Sequence, residues 1–188
     1  MAIRIKKLLF TVVFLAGCSC LIWGYWIPVK AVLAQILLQR AWDVSQRTDK
    51  AVKGWPWADS WPIGRLYQSR LGVDLIVLEG ASGESLAFGP GHIEASSPLG
   101  GDNHSVLAGH RDTSFSFLKD LQRGDKLTIE SLRGQHLYIV KTMEVVSADE
   151  LYLDKQSPQA LSLITCYPFD GLLAQSTYRY LVTAIATQ

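Results

Sequence analysis

One cysteine near the C-terminus is the side chain in this sequence best suited to nucleophilic chemistry. Cys166 follows the apolar run LSLIT and precedes YPF, so it lies at the end of a strand-like segment. The other two cysteines, Cys18 and Cys20, lie inside an apolar N-terminal segment, which leaves Cys166 without a partner for an intramolecular disulfide. Such a cysteine is either a small buried apolar side chain or a reactive thiol, and residue type alone leaves both alternatives open.

Four histidines are candidates for the base that would convert this thiol into its nucleophilic thiolate. His110 in VLAGHRDTSF follows an apolar run and a glycine, at a strand-to-loop junction of the kind that displays reactive side chains. His92 in GPGH has a comparable setting, and spacing alone does not choose between these two. We expect His104, in the predicted turn DNH, and His136, in the predicted strand GQHLYIV, to lie on the surface.

The elements that must position these side chains are predicted to be short strands. After Gly64, β-branched and apolar runs alternate with turn residues. The segment Thr113–Leu121 predicts one short helical turn between them. Seven or so strands with little helix predict an all-β fold, a closed or nearly closed β-barrel. The predicted strands are 66–68, 73–78, 105–108, 126–132, 136–146, 161–165 and 178–186.

An uncharged segment near the N-terminus predicts a membrane anchor. Residues 8–27 carry no charge and are long enough to cross a bilayer as a helix, and Arg4, Lys6 and Lys7 precede them. The basic residues predict a cytoplasmic N-terminus and an extracytoplasmic remainder. The alternative is a lipoprotein signal cleaved at LAGC, which would leave Cys18 as a lipidated N-terminus. Both alternatives keep the remaining chain at a membrane.

Residues 28–54 are predicted to form a juxtamembrane amphipathic helix followed by a linker. Positions 33, 34, 37, 41 and 44 are apolar and share one helical face. The segment GWPWADSWPIG then breaks the helix with two prolines and places three tryptophans before the first strand. The predicted domains are therefore the anchor with its basic tip at 1–27, this helix and linker, and a β-barrel at 55–188.

The balanced charge argues against a nucleic-acid partner, and the scattered positions of the acidic residues predict no metal site. The chain has 18 basic and 17 acidic residues and a net charge of +1, so we expect no nucleic-acid binding. Glu94, Asp149, Glu150 and Asp154 are scattered and do not form a calcium-binding loop. We therefore predict neither a metal ion nor another cofactor.

Three motifs, in this order and spacing, resemble those of the sortases, which are membrane-anchored cysteine transpeptidases. They are AGHRDTSFSFLKDL at 108–121, SLITCYPF at 162–169 and STYRYLVTA at 176–184. The resemblance implies that His110 rather than His92 is catalytic, that Cys166 is the nucleophile and that Arg179 is the third site residue. It also implies an eight-stranded β-barrel, with Arg179 on the strand adjacent to Cys166 and His110 across the groove. IPVKAVLAQILLQRAW and GWPWADSWP resemble the Gram-negative branch, class GN.

The resemblance further implies a substrate protein with an LPxTG-like C-terminal signal and transfer to an amine acceptor through a thioacyl enzyme. It implies a single-pass protein of the inner membrane whose catalytic domain is periplasmic if the cell is Gram-negative. Thr165, Asp112 and His92 are candidates for the substrate groove, and Asp112 for pairing with Arg111 or positioning His110. A hydrolytic cysteine protease and an inactive peptide-binding domain remain alternatives, and the sequence does not predict an oligomeric state.

Overall fold

The computed structural model describes residues 7, 14, 17, 32–149, 159–171 and 176–187. The chain forms two compact units, Met1–Ile36 and Leu37–Gln188. The predicted anchor at 8–27 lies outside the described residues except for residues 14 and 17. Within the described part, the model contains no helix that combines the length and the apolar character needed to span a bilayer.

Eight strands of the second unit close into one barrel, which confirms the predicted fold class. Around the barrel the order is β1-β2-β3-β4-β7-β8-β6-β5, and β5 pairs again with β1. Most neighbours are antiparallel, but β2–β3 and β4–β7 are parallel pairs. The strands are β1 Pro62–Gln68, β2 Val73–Glu79, β3 Gly91–His92, β4 Ser105–Ala108, β5 Lys126–Ser131, β6 Gly134–Ser147, β7 Ala160–Tyr167 and β8 Tyr178–Ala186.

Alternate residues of these strands fill the barrel interior. Strand β1 shows the pattern directly, because every second residue is buried. The segment after β4 adds Phe115 and Leu118, the latter from the 3-10 helix Ser116–Asp120, to the same core. This 3-10 helix lies within the predicted helical turn. The interior side chains include Leu66, Leu107, Leu127, Ile129, Tyr138, Leu161, Leu163 and Val182.

A helix at residues 32–48, α1, precedes the barrel, and its buried face differs from the predicted one. Leu38 and Trp42 are buried against Ile76 and Leu78 of β2. Two residues of the predicted apolar face, 33 and 44, are exposed instead. The buried positions are 34, 38, 41, 42 and 45, which also follow helical spacing. The predicted face was wrong because it left out Leu38 and Trp42, the large side chains that the barrel wall contacts. A second helix, α2, is the single turn Gly83–Leu86.

The tryptophan-containing segment lies away from the end of the barrel where Cys166 is found. Trp55 packs edge-on against Phe88, with ring centroids 5.1 Å apart. Trp57 is 77% exposed. Trp61 precedes β1 at the point where Pro62 pairs with Leu78, the end of β2. Because β2 runs opposite to β7, this is the barrel end opposite to Cys166.

Candidate active site

The parallel pairing of β4 and β7 aligns the histidine segment with the cysteine. Ala108 pairs with Ile164, and the Gly109 amide donates to the Ile164 carbonyl at 3.1 Å. His110 follows Gly109 directly, so its segment lies at the end of β7 that carries Cys166, and the chain turns there because the Phe115 amide donates to the His110 carbonyl at 2.9 Å. A Cβ at Gly109 would lie 2.7 Å from the Phe115 ring. The close packing of Phe115 therefore requires a glycine before His110.

Arg179 lies on the other side of the cysteine. Strands β7 and β8 are antiparallel, and Cys166 and Arg179 are directly paired. Directly paired residues project to the same face of a sheet, with strands about 4.8 Å apart. Cys166 and Arg179 are therefore neighbours on β7 and β8, and His110 follows the end of β4 by two residues at the same end of the barrel. These three residues are called the row below. Arg179 is thus on the strand adjacent to Cys166, as the resemblance to the sortases implied.

Strand alternation directs the thiol out of the barrel. Leu163 belongs to the interior core, so Ile164 and Cys166, one and three residues later, project to the outer face. Cys166 is a free cysteine and half-buried, and His110 is exposed. Neither side chain makes a hydrogen bond to any of the described residues. Catalytic hydrogen bonds are commonly long without substrate and shorten when it binds, so the missing bond is compatible with His110 as the proton carrier.

The Arg179 guanidinium is held by the turn that leads into β8. Its Nη1 donates to the Ser176 carbonyl at 2.6 Å and to the Tyr178 carbonyl at 3.0 Å. Ser176 Oγ in turn donates to the Tyr167 carbonyl, which closes the base of the β7–β8 loop. A guanidinium has five N–H donors, so Nε and Nη2 remain for an anionic or carbonyl oxygen beside Cys166.

Three aromatic rings stiffen the chain on both sides of the thiol. Tyr167 stacks on Tyr180 with centroids 6.2 Å apart, and Phe169 meets Tyr180 edge-on at 5.2 Å. Phe169 and Tyr180 also pack against the barrel core. Burial, and to a lesser degree Tyr167, raises the pKa of Tyr180. The phenol is therefore neutral near pH 7 and acts here through packing.

An apolar patch on the outer barrel face continues from the row, and sequence reasoning missed it. Ile164 pairs with Leu181, one step along the strands from the Cys166–Arg179 pair. Both pack with Val106, and Ile93 and Val146 flank them. The sequence could have predicted it, because residues two apart in a strand share a face: Ile164 shares one with Cys166, and Leu181 shares one with Arg179. Val106, Ile164 and Leu181 are only 1–6% exposed, so they form a buried cluster beside the row and not an open surface.

The structure places two of the three groove candidates near the row. Thr165 is only 2% exposed, and its Oγ1 donates to the Gly109 carbonyl at 2.7 Å. It therefore holds the His110 segment from inside, which corrects the expectation that it lines an open groove. Asp112 is exposed, and its side chain has no hydrogen bond or ion pair with the residues described here. The expected Arg111–Asp112 pair is not formed.

The groove expectation for His92 is not supported. Its ring is 4% exposed, with Nδ1 3.3 Å from Glu79 Oε1 and Nε2 2.9 Å from the Ser97 carbonyl. It lines a cavity of about 300 Å³ together with Trp61 and Arg133, towards the end opposite to Cys166. The sequence setting GPGH misled because β3 runs antiparallel to β4. His92 pairs with Leu107, a residue of the interior core, so its side chain projects to the inner face of the sheet.

His104 also departs from its expected surface position. It is 5% exposed, and its Nε2 lies 2.9 Å from Ser162 Oγ. His136 is half-buried and packs against Gly100. Within the described ranges, no three His, Cys, Asp or Glu side chains are grouped so that they could hold a metal ion.

Comparison with known proteins places this arrangement in a family. The family model described as "Sortase domain" matches residues 66–187, which include all eight strands except the start of β1. The chain belongs to the sortase family. The matched region contains His110, Cys166 and Arg179, so the row lies within the shared domain.

Individual sortases agree with this assignment. Sortase D of Bacillus subtilis (strain 168) is 33% identical over 121 residues, which cover 63% of this chain and 61% of that protein. This chain therefore matches less than two thirds of that relative's length. Sortase A from Corynebacterium diphtheriae is 27% identical, with a TM-score of 0.61 and coverage of 70% of this chain and 63% of that one.

A third sortase supports the fold over a larger part of the chain. The Clostridium perfringens Sortase D5 transpeptidase superposes with a TM-score of 0.64, covering 84% of this chain and 99% of that chain. The two are 19% identical, so the likeness concerns the fold. The barrel architecture is therefore that of the sortase fold.

Proposed function

We propose that this sortase is a cysteine transpeptidase in which Cys166, His110 and Arg179 carry the reaction. The observation that supports the proposal is the direct pairing of Cys166 with Arg179, together with the parallel pairing of β7 with β4, the strand that leads to His110. A nucleophile, a proton carrier and an oxyanion donor side by side are the parts that acyl transfer requires. The substrate is a protein with an LPxTG-like C-terminal signal.

The proposed reaction has two balanced steps. The Cys166 thiolate attacks the carbonyl carbon of the scissile peptide bond, and Arg179 donates hydrogen bonds to the oxyanion that forms. The C–N bond breaks, the leaving amine takes a proton from the His110 imidazolium, and a thioester to Cys166 remains. The acceptor amine then gives a proton to neutral His110 and attacks the thioester. A new amide forms and the thiolate leaves.

We also propose that the protein acts at the inner membrane, with residues 8–27 as a single span and the barrel outside the cytoplasm. The support is the uncharged segment and its preceding basic residues. A tethered enzyme meets a membrane-held substrate at raised effective concentration. We also propose that the protein belongs to class GN, on the basis of the segments IPVKAVLAQILLQRAW and GWPWADSWP. The relatives found are Gram-positive sortases.

The test is a ligation assay with the purified full-length protein in detergent. A fluorogenic LPxTG-like peptide is supplied with and without hydroxylamine as the amine. We expect cleavage, and a hydroxamate product when amine is present. Cys166→Ala is expected to reduce both to background. The matched control is the double variant Cys18→Ala, Cys20→Ala, which keeps Cys166 as the single thiol of the chain and should retain activity.

Other outcomes identify the competing functions. Cleavage that depends on Cys166 but gives no amine product indicates a hydrolytic protease. Peptide binding that is unchanged by Cys166→Ala, without turnover by either protein, indicates a binding domain and contradicts the proposal.

A further inference from the structure

Arg111, the residue after His110, connects the histidine segment to the loop that follows the cysteine. Its Nη2 donates to the Gly171 carbonyl at 2.6 Å. The guanidinium also lies against Gly171, since a Cβ there would be 3.0 Å from Nη1 and 3.2 Å from Nη2. Gly171 belongs to the β7–β8 loop, which leads from Cys166 to Arg179. One side chain therefore joins the two chain segments that flank the row.

The position of the His110 ring depends on contacts of its backbone neighbours. The ring is exposed and makes no hydrogen bond within the described ranges. Before it, the Gly109 carbonyl accepts from Thr165 Oγ1 at 2.7 Å. After it, Arg111 reaches Gly171. Both contacts are made with residues close to Cys166 in the chain: Thr165 precedes it by one residue, and Gly171 follows it by five.

On the basis of the proposed function, we propose that Arg111 is a positioning residue for this reaction. Its hydrogen bond to the Gly171 carbonyl fixes the distance between the His110 imidazole and the Cys166 thiol by linking the chain after His110 to the chain after Cys166. Arg111 itself exchanges no proton with the substrate. A misplacement of a reacting group by about 1 Å can slow a reaction about 10²-fold. We therefore expect loss of this contact to lower the rate of the chemical steps, because His110 would no longer be held at the right distance from Cys166.

Two substitutions disturb the same contact from opposite sides. Arg111→Met removes the donor and keeps the length of the side chain. Gly171→Ala keeps the donor and places a methyl group 3.0–3.2 Å from the guanidinium and 3.2 Å from the Pro168 carbonyl oxygen. We expect Arg111→Met to lower kcat about 10- to 100-fold with little change in KM. Gly171→Ala should lower kcat in the same direction, and Arg111→Lys, which keeps a donor and the charge, should restore most of the lost turnover.

The double variant Arg111→Met, Gly171→Ala separates positioning from general damage. If both substitutions act through one contact, the double variant is no slower than Arg111→Met, since coupled residues are not additive. The matched control is Arg123→Met. Arg123 Nε donates to the Lys141 carbonyl at 2.8 Å, the same kind of bond away from the row. This variant should keep the wild-type kcat.

The assay uses the full chain, the same peptide with hydroxylamine, and thermal melting of each variant. A kcat of Arg111→Met within twofold of wild type overturns the inference, as does a double variant whose loss is the product of the single losses. If Arg111→Met fails to fold, an unchanged kcat in Gly171→Ala overturns it. Failure of the proposed function looks different, because wild-type turnover is then absent or survives in Cys166→Ala.

Discussion

At the residue scale, the hydrogen bonds of each histidine determine which ring is available for proton transfer. The rings of His92 and His104 are buried, with nitrogens near Glu79 and Ser162. A ring in such a position must break these contacts before it exchanges a proton with a substrate. His110 is exposed and free of such contacts within the described ranges, and it follows the strand that pairs with β7. It is therefore the ring best placed for general acid–base chemistry.

Arg179 provides a prediction at this scale. Its Nη1 is already used by two carbonyls, so Nε and Nη2 are the groups that would meet the oxyanion. We expect Arg179→Ala to lower the rate of thioester formation about 10²- to 10³-fold, and Arg179→Lys to recover only part of it. A lysine cannot bond the turn and the oxyanion in the same fork geometry. Single-turnover acylation, followed by mass spectrometry, measures this rate.

Arg133→Ala is the control for this substitution. Arg133 is an exposed arginine that lines the cavity at the other end of the barrel. Its replacement should leave acylation unchanged. An Arg179→Ala protein that acylates within twofold of wild type would remove Arg179 from the proposed mechanism.

At the element scale, the parallel pair β4–β7 brings the two reactive segments together. The carboxyl ends of parallel neighbours lie at the same edge of a sheet. Ala108 and Ile164 are paired near these ends, so the residues that follow them, 109–110 and 165–166, continue side by side. The buried hydroxyl of Thr165 then links β7 to the Gly109 carbonyl. The row thus depends on strand ends rather than on a long loop.

Thr165→Val tests this link. Valine keeps the shape of threonine and removes the donor, so the buried Gly109 carbonyl loses a hydrogen bond, which costs about 1–3 kcal/mol of unfolding free energy. We expect kcat of the ligation assay to fall as well, because His110 follows Gly109. Urea unfolding and peptide turnover measure the two effects separately.

Thr183→Val is the comparison. Thr183 Oγ1 lies 3.2 Å from Ser162 Oγ on the same pair of strands, away from His110. This variant should keep its kcat and lose less stability, because Thr183 is half-buried and Ser162 Oγ keeps its contact with His104 Nε2 at 2.9 Å. Equal effects of the two variants on kcat would show that Thr165 acts through stability alone.

At the scale of the whole molecule, the barrel wall is completed by a helix that comes before it in the chain. Trp42 is fully buried, and with Leu38 it covers Ile76 and Leu78 of β2. Removing a buried tryptophan side chain typically costs about 3–5 kcal/mol. The second unit accordingly begins at Leu37, well before the first strand.

Two truncated chains test this contribution. A chain that starts at residue 32 keeps the described helix, whereas a chain that starts at residue 51 loses Leu38 and Trp42. We expect the free energy of unfolding of the shorter chain to be lower by at least about 3 kcal/mol. Urea denaturation followed by circular dichroism measures the difference. Equal midpoints for the two chains would contradict a stabilising role for the helix.

The sequence by itself determined the strands that carry a clear apolar pattern. The predicted strands 105–108 and 178–186 coincide with β4 and β8, and those at 73–78 and 126–132 differ from β2 and β5 by one residue. The two-residue strand Gly91–His92 was missed, because so short a segment has no period of its own. It is a strand only through its neighbours β2 and β4.

The tertiary structure decided which candidate residues share a site. Strand order and direction are properties of pairs far apart in the chain, and periodicity within one strand carries no information on its neighbour. For this reason the residues alone left His92 and His110 equivalent, and family resemblance was needed to choose between them. The antiparallel step from β3 to β4 separates them physically. His92 lies in a buried polar contact, whereas His110 is exposed and follows the end of β4, the strand that pairs with β7.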